Sequence, residues 1–338
     1  MASMTIIPQD IITTHILCRL PAKSVGRFRC VSKEWLSLLS EPRFIQIHQK
    51  TLNKYHFIFR SNDGSLYSVP YDNHEEVSTL TKLDLGFYRI MSILGSVNGL
   101  VLASAYNNLH NNDYYTLFVL NLTTNDYVEL PISSKSQFFG ISGFGYDSVS
   151  DNYKIVTMEF DENVYVYNLR TNTRKQGSHL TYDGYYGSAA GVFVNGFLHW
   201  KLDRHSKPVI VAFSLADEML SELPSPNFCN QATKFVELGE KLAIFNEDKG
   251  DVWLMNEYGV EKSWTKIVFH GFNEIPIVTH KVFYDNGKVL FLNSDKLLIY
   301  DVEERTFCKS VDISYMNISY FISAFAESLV SPKFSRAK

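Results

Sequence analysis

The 338-residue sequence predicts an α+β protein in which three N-terminal helices precede a mostly antiparallel, all-β domain of repeated, propeller-like units. Apolar residues recur at helical spacing before about residue 50, and short apolar runs punctuated by Asn, Asp, Gly and Thr follow. A segment that recurs about every 45 residues has the length of one four-stranded propeller blade. The repeat predicts five to six blades.

The first helix is predicted from spacing and from two prolines. Pro8 and Asp10 suit a first helical turn, because a proline loses no hydrogen bond there and the helix dipole favours a negative charge. Ile12, Ile16 and Leu20 then follow at intervals of four residues. The proline after Leu20 ends this helix, since the residue before a proline resists helical geometry.

A second helical pattern places Val25, Phe28 and Val31 on one face. We predict that Phe28 and Val31 hold the helices together. The pattern runs on, with or without a break, to Trp35, and Pro42 is expected to stop it. Three helices in about forty residues enclose little core, so the segment is expected to leave apolar surface for another protein.

The charge distribution separates the two predicted domains, 1–50 and 51–338. The first holds seven Lys and Arg and three Asp and Glu, a net charge of +4, so the second must carry −8 to give the overall −4. A basic segment on an acidic body suggests an acidic partner, either nucleic acid or an acidic protein. The aromatic content of 14 % tilts the larger segment toward β structure.

Five phrases carry the repeat, and each is an apolar run followed by a residue that favours a turn. They are "LFVLNLTTN", "VYVYNLRTN", "VIVAFSLADE", "VWLMNEYGV" and "LLIYDVEERTF", with turn residues Asn121, Asn168, Ser214, Asn256 and Asp301. Successive turn residues are 47, 46, 42 and 45 positions apart. "LYSVPYDN" is predicted as a degenerate earlier copy. Tight hairpin turns are predicted at Asn98-Gly99, Asn195-Gly196 and Asn286-Gly287.

The sequence carries no GxGxxG, GxxxxGK[ST], HExxH or GxSxG motif, and its four cysteines have no paired spacing. His199 is predicted to be a partly buried histidine bonded by backbone. The acid pairs Asp161-Glu162 and Glu303-Glu304 are predicted to be solvated. We therefore expect no enzyme activity, no catalytic residue, no cofactor and no metal.

One loop is a candidate for contact with a target protein. The aromatic-rich phrase "TYDGYYGS" has a composition common in recognition loops, and Tyr182, Tyr185 and Tyr186 are its predicted contact residues. There is neither a secretory signal nor an apolar run of the roughly 20 residues that a membrane helix needs. A cytoplasmic or nuclear protein without membrane contact is expected.

Residues 6–48 resemble an F-box. The start "IPQD", the centre "ILCRLPAKS", the run "RFRCVSKEW" and the final "PRF" occur in the order of that family. Downstream, "VNGLVLAS", "FGYDSVSDNYKIV", "GVFVNGFLHW", "EYGVEKSWTKI" and "ESLVSP" resemble the F-box-associated, kelch-like interaction domain of plant F-box proteins. The layout is also similar to that of the S-locus F-box-like group.

The resemblance implies a non-catalytic substrate-recognition subunit of an SCF-type cullin-RING ubiquitin ligase. The helices would bind a Skp-family adaptor, and through it a cullin, while the β domain would bind a target protein that the sequence does not identify. The residues implied in adaptor contact are Ile7, Pro8, Ile11, Ile12, Leu20, Pro21, Val25, Cys30 and Trp35. Lys23, Arg27 and Lys33 would steer the helices toward an acidic adaptor surface.

Two other classes of protein stay open. A propeller-type glycosidase or sugar-binding protein would leave the helices unexplained. A nucleic-acid-binding protein would use the basic helices and would bind with a steep dependence on salt. The acidic body argues against nucleic acid wrapping the whole molecule, and no nucleic-acid partner is predicted.

Overall fold

The computed structural model describes residues 11–52, 54–61, 65–70, 81–83, 88–107, 115–134, 141–158, 163–179, 182, 189–226, 233–246, 249–271, 278–285, 287–293, 296–312 and 318–334. Within these residues, helices precede a six-bladed antiparallel propeller. The predicted α+β class is confirmed, with six blades from the predicted five to six. None of the helices in this described part is long and apolar enough to cross a membrane.

The helical segment, here called the head (residues 11–52), begins irregularly. A π-helical turn, Ile12–Ile16, leads into a 3-10 turn, Leu17–Arg19. Three α-helices follow, and they are α1 (Ala22–Phe28), α2 (Lys33–Leu39) and α3 (Pro42–Leu52). Ser32 caps α2, because its side chain accepts a hydrogen bond from the Trp35 N–H at 3.2 Å.

Pro42 begins a helix and does not stop one, so this part of the prediction is wrong. It is the first residue of α3, where its missing N–H leaves no helical hydrogen bond unmade. α3 then buries Phe44 and His48. The predicted division at residue 50 falls inside α3, and the division into 1–50 and 51–338 stays a prediction.

The propeller consists of six sheets, with strands numbered in chain order. Blade 1 contains β1 (Tyr55–Ser61), β2 (Leu66–Pro70), β3 (Thr81–Leu83) and β25 (Ile318–Ala326). Blade 2 contains β4 (Tyr88–Val97), β5 (Leu100–Asn107), β6 (Tyr115–Asn121) and β7 (Asp126–Ser134). Blade 3 contains β8 (Ile141–Asp147), β9 (Asn152–Met158), β10 (Asn163–Asn168), β11 (Thr173–His179) and the short parallel strand β12 (Ala189–Ala190).

The other three blades have four antiparallel strands each. Blade 4 contains β13 (Val192–Val194), β14 (Phe197–Arg204), β15 (Lys207–Ser214) and β16 (Leu220–Leu223). Blade 5 contains β17 (Thr233–Leu238), β18 (Lys241–Asn246), β19 (Asp251–Met255) and β20 (Trp264–Val268). Blade 6 contains β21 (Val278–Asp285), β22 (Lys288–Asn293), β23 (Lys296–Asp301) and β24 (Thr306–Asp312).

Blade 1 closes the ring, because it is built from both ends of the chain. β25 pairs antiparallel with β1, which places Tyr55 opposite Ala326 and Phe57 opposite Ala324. β25 also contacts β4 and β21, the first strands of the two neighbouring blades. The last strand is therefore the innermost strand of blade 1, and its pairing leaves no open end to the ring.

The recurring phrases mark the third strand of each blade. The five anchored phrases carry β6, β10, β15, β19 and β23, and "LYSVPYDN" carries β2, the third strand of blade 1. The predicted turn chemistry is present at two anchors. The Asn121 side chain accepts hydrogen bonds from the Thr123 and Thr124 N–H groups at 2.8 and 3.1 Å. Asp301 does the same for the next two glutamates, at 3.0 Å each.

The predicted Asn-Gly turns join the first and second strands of their blades. Asn98 and Gly99 have φ angles of 50° and 77°, and Asn195 and Gly196 have φ angles of 53° and 81°. Two successive positive φ angles are typical of the tight hairpin that this pair favours. At the third pair, Gly287 has a φ angle of 76°, while Asn286 lies outside the described residues.

The core lies between adjacent blades, and Trp200 shows how closely they pack. It projects from β14 of blade 4 and is almost fully buried. A Cβ atom built on Gly143 or Gly191 would lie 2.8 or 2.6 Å from its ring, so only glycine fits at either position. The Trp200 indole N–H donates to the Ser142 carbonyl at 3.1 Å, which fixes blade 4 against blade 3.

Candidate protein-binding surfaces

The head does not complete its own core. The chain after β25, residues 327–334 and here called the strap, returns to the head and places Leu329 inside it. Leu329 belongs to one buried cluster with Leu17, Ala22, Val25, Leu39 and Phe44. The helices were predicted to enclose too little core, and a residue from the other end of the chain supplies part of what is missing.

Three residues of the predicted adaptor contact are exposed in the structure. Ile11 is an exposed apolar side chain, and Pro21 and Cys30 are also exposed. Ile7 and Pro8 lie outside the described residues. The predicted steering cations are exposed too, and they are Lys23, Arg27 and Lys33.

The other residues of the predicted contact pack inside the head. Ile12, Leu20 and Trp35 are half-buried against the cluster just described. Val25 is fully buried, which corrects its prediction as a surface contact, because it offers no area to a partner. Phe28 is half-buried and meets Trp35 edge to face at 5.6 Å between ring centroids, in keeping with its predicted role within the head.

Sequence reasoning misplaced or missed three exposed apolar residues. Val31 was predicted to be core but is 67 % exposed. α1 ends at Phe28, so helical spacing does not extend to Val31. Ile16 and Leu36 are 45 % and 49 % exposed. Ile16 ends a π-turn, in which the Leu17 N–H bonds to the Ile12 carbonyl. Because a π-turn has more residues per turn than the 3.6 of an α-helix, Ile16 does not point in the same direction as Ile12.

A second surface lies at the outer edges of blades 3 and 4. Here the Arg204 guanidinium stands 4.9 Å from the centre of the Tyr182 ring, and Arg204 Nη1 is 2.8 Å from Glu222 Oε1. The groove has a volume of about 390 Å³, and Met219, 66 % exposed, forms part of its wall. Burial and the nearby Glu222 carboxylate raise the pKa of Tyr182. An arginine stacked on a half-buried tyrosine suits a protein contact.

The groove runs along the outer edge of blade 4, from Met219 in the turn before β16, at the end of the blade that carries the Asn195-Gly196 turn, to Arg204 at the opposite end of β14. The strap touches the start of β11, since Phe334 lies 5.9 Å from the Arg170 guanidinium in the preceding turn. β11 then runs seven residues, roughly 20 Å, away from this point before the chain reaches Tyr182. The other two predicted target contacts, Tyr185 and Tyr186, lie outside the described residues.

His199, the histidine that the sequence singled out, has a structural role. It is fully buried, with Nδ1 2.9 Å from the Val192 carbonyl and Nε2 2.7 Å from the Tyr258 hydroxyl. Burial lowers the pKa of His199 to about 4, so its ring is neutral at physiological pH. The predicted backbone bond is confirmed, with Tyr258 as a further partner, but the prediction of partial burial is wrong because the side chain is fully buried.

The most buried ion cluster also joins blades. Lys154 Nζ on β9 is 2.9 Å from Asp147 Oδ2 in its own blade and 2.9 Å from Glu218 Oε1 in blade 4. Burial opposes the charge of Lys154, but hydrogen bonds to the two carboxylates outweigh this effect and raise its pKa. Each charge of this cluster therefore has a partner of opposite charge. The contact between Lys154 and Glu218 joins blade 3 to blade 4.

One of the two predicted acid pairs lies within the described residues. Glu303 and Glu304 are exposed on a turn, as predicted for solvated acids, and Asp161-Glu162 lie outside the described residues. In the part of the chain that the structure describes, no group of three or more His, Cys, Asp or Glu side chains could hold a metal ion. The surfaces suited to binding are thus the exposed side of the head and the Tyr182 groove.

A basic helical head with exposed apolar residues, set on a six-bladed propeller, defines a protein-interaction module. The F-box domain family matches residues 7–46, and the family described as "F-box associated beta propeller domain" matches residues 50–324. The chain therefore belongs to the family of F-box proteins with an F-box-associated β-propeller domain. An F-box implies binding to a Skp-family adaptor, and the combination supports a role in substrate recognition by SCF ligases.

The chain is similar in sequence to F-box proteins of a plant. The F-box protein CPR1 of Arabidopsis thaliana is 29 % identical over 89 % of this chain and 83 % of its own. An F-box/kelch-repeat protein of the same plant is 28 % identical over 75 % of this chain and 77 % of its own. Among solved structures, TolB from Acinetobacter baumannii aligns with a TM-score of 0.47 and 11 % identity over 85 % of this chain and 72 % of its own.

Proposed function

We propose that this protein is the target-binding subunit of an SCF-type cullin-RING ubiquitin ligase. The head binds a Skp-family adaptor, which links it to the cullin, and the propeller binds a target protein. The observation that carries the proposal is the set of exposed apolar residues on a head that belongs to the F-box family. Four large apolar side chains of this short head, Ile11, Ile16, Val31 and Leu36, are 44–67 % exposed, and the F-box family match makes a partner protein the proposed cover for them.

The adaptor surface combines the exposed part of the predicted contact with the residues that the structure adds. Ile11, Pro21 and Cys30 come from the prediction, and Ile16 and Leu36 from the structure. Ile7 and Pro8 stay in the proposed contact because of the family pattern that they fit. Exposed cations on the same head accelerate association with an acidic adaptor more than they add affinity.

The chain needs no catalytic group in this role. Holding a target near a charged conjugating enzyme raises the effective concentration of its lysines, and the transfer chemistry belongs to the other subunits. We place target contact at the Tyr182 groove. The Tyr182 end of this groove lies roughly 20 Å along β11 from the strap, which leaves room for a bound target beside a bound adaptor.

The test is capture of purified Skp-family adaptor by single variants of the full chain. Ile11→Asp and Leu36→Asp each place a charge on an exposed apolar position of the head. Each is expected to weaken capture about tenfold or more, the cost of about 1.4 kcal/mol or more for a lost anchor. Val149→Asp is the matched control, because Val149 is 83 % exposed but lies on a propeller turn.

The comparison has two clear outcomes. Weaker capture by both head variants, with normal capture by Val149→Asp, supports the proposed surface. Equal capture by all three variants contradicts it. Failure of the unaltered protein to bind the adaptor contradicts the proposed function itself.

A further inference from the structure

The strap contacts the propeller through an anchor residue of the repeat. Asn121, fully buried at the end of β6, donates from Nδ2 to the Ser328 carbonyl at 2.9 Å and to the Val330 carbonyl at 2.7 Å. The Ser328 N–H donates to the Thr123 hydroxyl at 3.3 Å. These bonds hold the strap backbone on blade 2.

The Asn98-Gly99 turn leaves room for the strap. A Cβ atom on Gly99 would lie 2.2 Å from the Ser328 Cβ and 2.6 Å from the Ala326 carbonyl oxygen. Real Cβ atoms do not approach other atoms so closely, so a side chain at this position displaces the strap. Gly196 occupies the same position of the same turn in blade 4, with a similar φ angle of 81°, and a Cβ there meets nothing within 4 Å.

The same short segment is bonded to the head. Leu329 is 1 % exposed within the head core. Arg29 donates to the Leu329 carbonyl at 3.1 Å and to the Leu39 carbonyl at 2.6 Å, so one guanidinium joins α1, the end of α2 and the strap. Glu327 lies at the joint, where its Oε1 is 2.8 Å from His56 Nε2 and its N–H donates to the Lys54 carbonyl at 2.7 Å.

Elsewhere the head stands off the propeller. A crevice of about 1020 Å³ separates α3, represented by Ile45 and Gln49, from the inner strands of the propeller, and strap residues such as Val330 and Phe334 line it. Phe334 packs on Tyr153 at 5.5 Å between ring centroids. The strap thus bridges a gap that direct contact does not fill.

We propose that the strap is the positioning element that fixes the orientation of the head on the propeller, and hence of a bound target relative to the ligase. The proposal rests on the proposed function for its biological meaning, but its physical content can be tested without a target. The direct link between α3 and β1 consists of residues 53 and 54 alone. A link of this length limits the distance between head and propeller but does not set their angle.

The experiment compares Gly99→Ala with Gly196→Ala in the full chain. Both changes add a methyl group at a positive φ angle in the same turn, but only the first meets the strap. Spin labels on cysteines introduced at exposed Glu34 in α2 and Glu304 in blade 6 report the distance between head and propeller, with the native cysteines replaced by alanine. Purified adaptor is the binding probe, and its capture is measured on variants that keep the native cysteines, because Cys30 lies in the proposed adaptor contact.

We expect Gly99→Ala to broaden the distance distribution about twofold or more, while Gly196→Ala keeps the narrow distribution of the unaltered protein. Equal widths in the two variants would overturn the proposal. If Gly99→Ala does not fold, Asn121→Asp replaces it. Asn121→Asp keeps the side-chain oxygen that accepts from the turn backbone but removes the Nδ2 group that donates to the Ser328 and Val330 carbonyls. Asn256→Asp, at the same repeat position in blade 5, is its control.

Adaptor capture separates the two proposals. A broadened distribution in a variant that still captures adaptor supports the strap as a positioning element. If the unaltered protein fails to capture adaptor, the proposed function is wrong, and the two distributions still decide whether the strap orients the head.

Discussion

Replacing Leu329 by alanine tests whether the strap is part of the head's core. Leu329 is almost fully buried among residues of the head, so the change removes apolar contacts and leaves a cavity. Leu→Ala changes at such sites cost about 2–5 kcal/mol. Because the lost contacts belong to the head, we expect the head to open more often while the propeller keeps its stability. If the free energy of opening the head falls by about 2 kcal/mol, the fraction of molecules with an open head rises roughly thirtyfold.

Native-state hydrogen exchange measures this opening directly. The Arg29 N–H, bonded to the Val25 carbonyl in α1, is a suitable reporter. Leu36→Ala is the matched control, since it is the same change on an exposed leucine of the same head, where about 0.5 kcal/mol or less is expected. If Leu329→Ala speeds exchange in α1 no more than Leu36→Ala does, Leu329 is not part of the head's core.

Two further predictions concern buried charge. Burial lowers the pKa of His199 to about 4, below its unfolded value of about 6.5, so the unfolded chain binds the proton first. The contribution of His199 to the unfolding free energy is therefore fully present above pH 6.5 and falls by about 3 kcal/mol as the pH drops toward 4. In urea titrations over this range, His199→Gln is expected to reduce the loss of stability, whereas His270→Gln, at an exposed histidine, is expected to leave it unchanged. If both variants lose stability like the unaltered protein, His199 is not the buried neutral group responsible. Lys154→Met removes the cation paired with buried Asp147, while Glu218 keeps its pair with Lys175, and the change is expected to cost about 3–5 kcal/mol. Lys333→Met, which breaks the more exposed pair with Asp126, is expected to cost about 1 kcal/mol or less. Equal urea midpoints for the two variants would contradict this difference.

The propeller was largely predictable because a turn-forming residue recurs at the end of the third strand in five of the six blades. At Asn121 and Asp301 the side chain that ends a third strand bonds to the backbone that follows it, so the signal is local and survives changes in the strands. Asn168 instead accepts from the Asn152 side chain, and Asn256 donates to the Ser263 carbonyl. The number of blades was harder to predict for a physical reason. Blade 1 takes its innermost strand, β25, from the far end of the chain, and no local pattern records such a pairing.

The head was predictable as an F-box but not in its exposed surface. Helical spacing assigns Val31 to the core and places Ile16 on the same helix face as Ile12, because it assumes an unbroken α-helix at each position. The π-turn and the end of α1 at Phe28 change which side chains point outward. Nor does the head's own sequence reveal that Leu329 fills part of the core, because that contact depends on the closed ring.

Ring closure and completion of the head depend on the same short stretch of chain. Leu329 lies only three residues beyond β25, so the segment that pairs with β1 also delivers a residue to the head core. A chain that ends before β25 lacks both the innermost strand of blade 1 and a core residue of the head. The head therefore has its full core only on a chain that includes β25 and the strap, and under the proposed function this makes adaptor binding depend on a complete propeller.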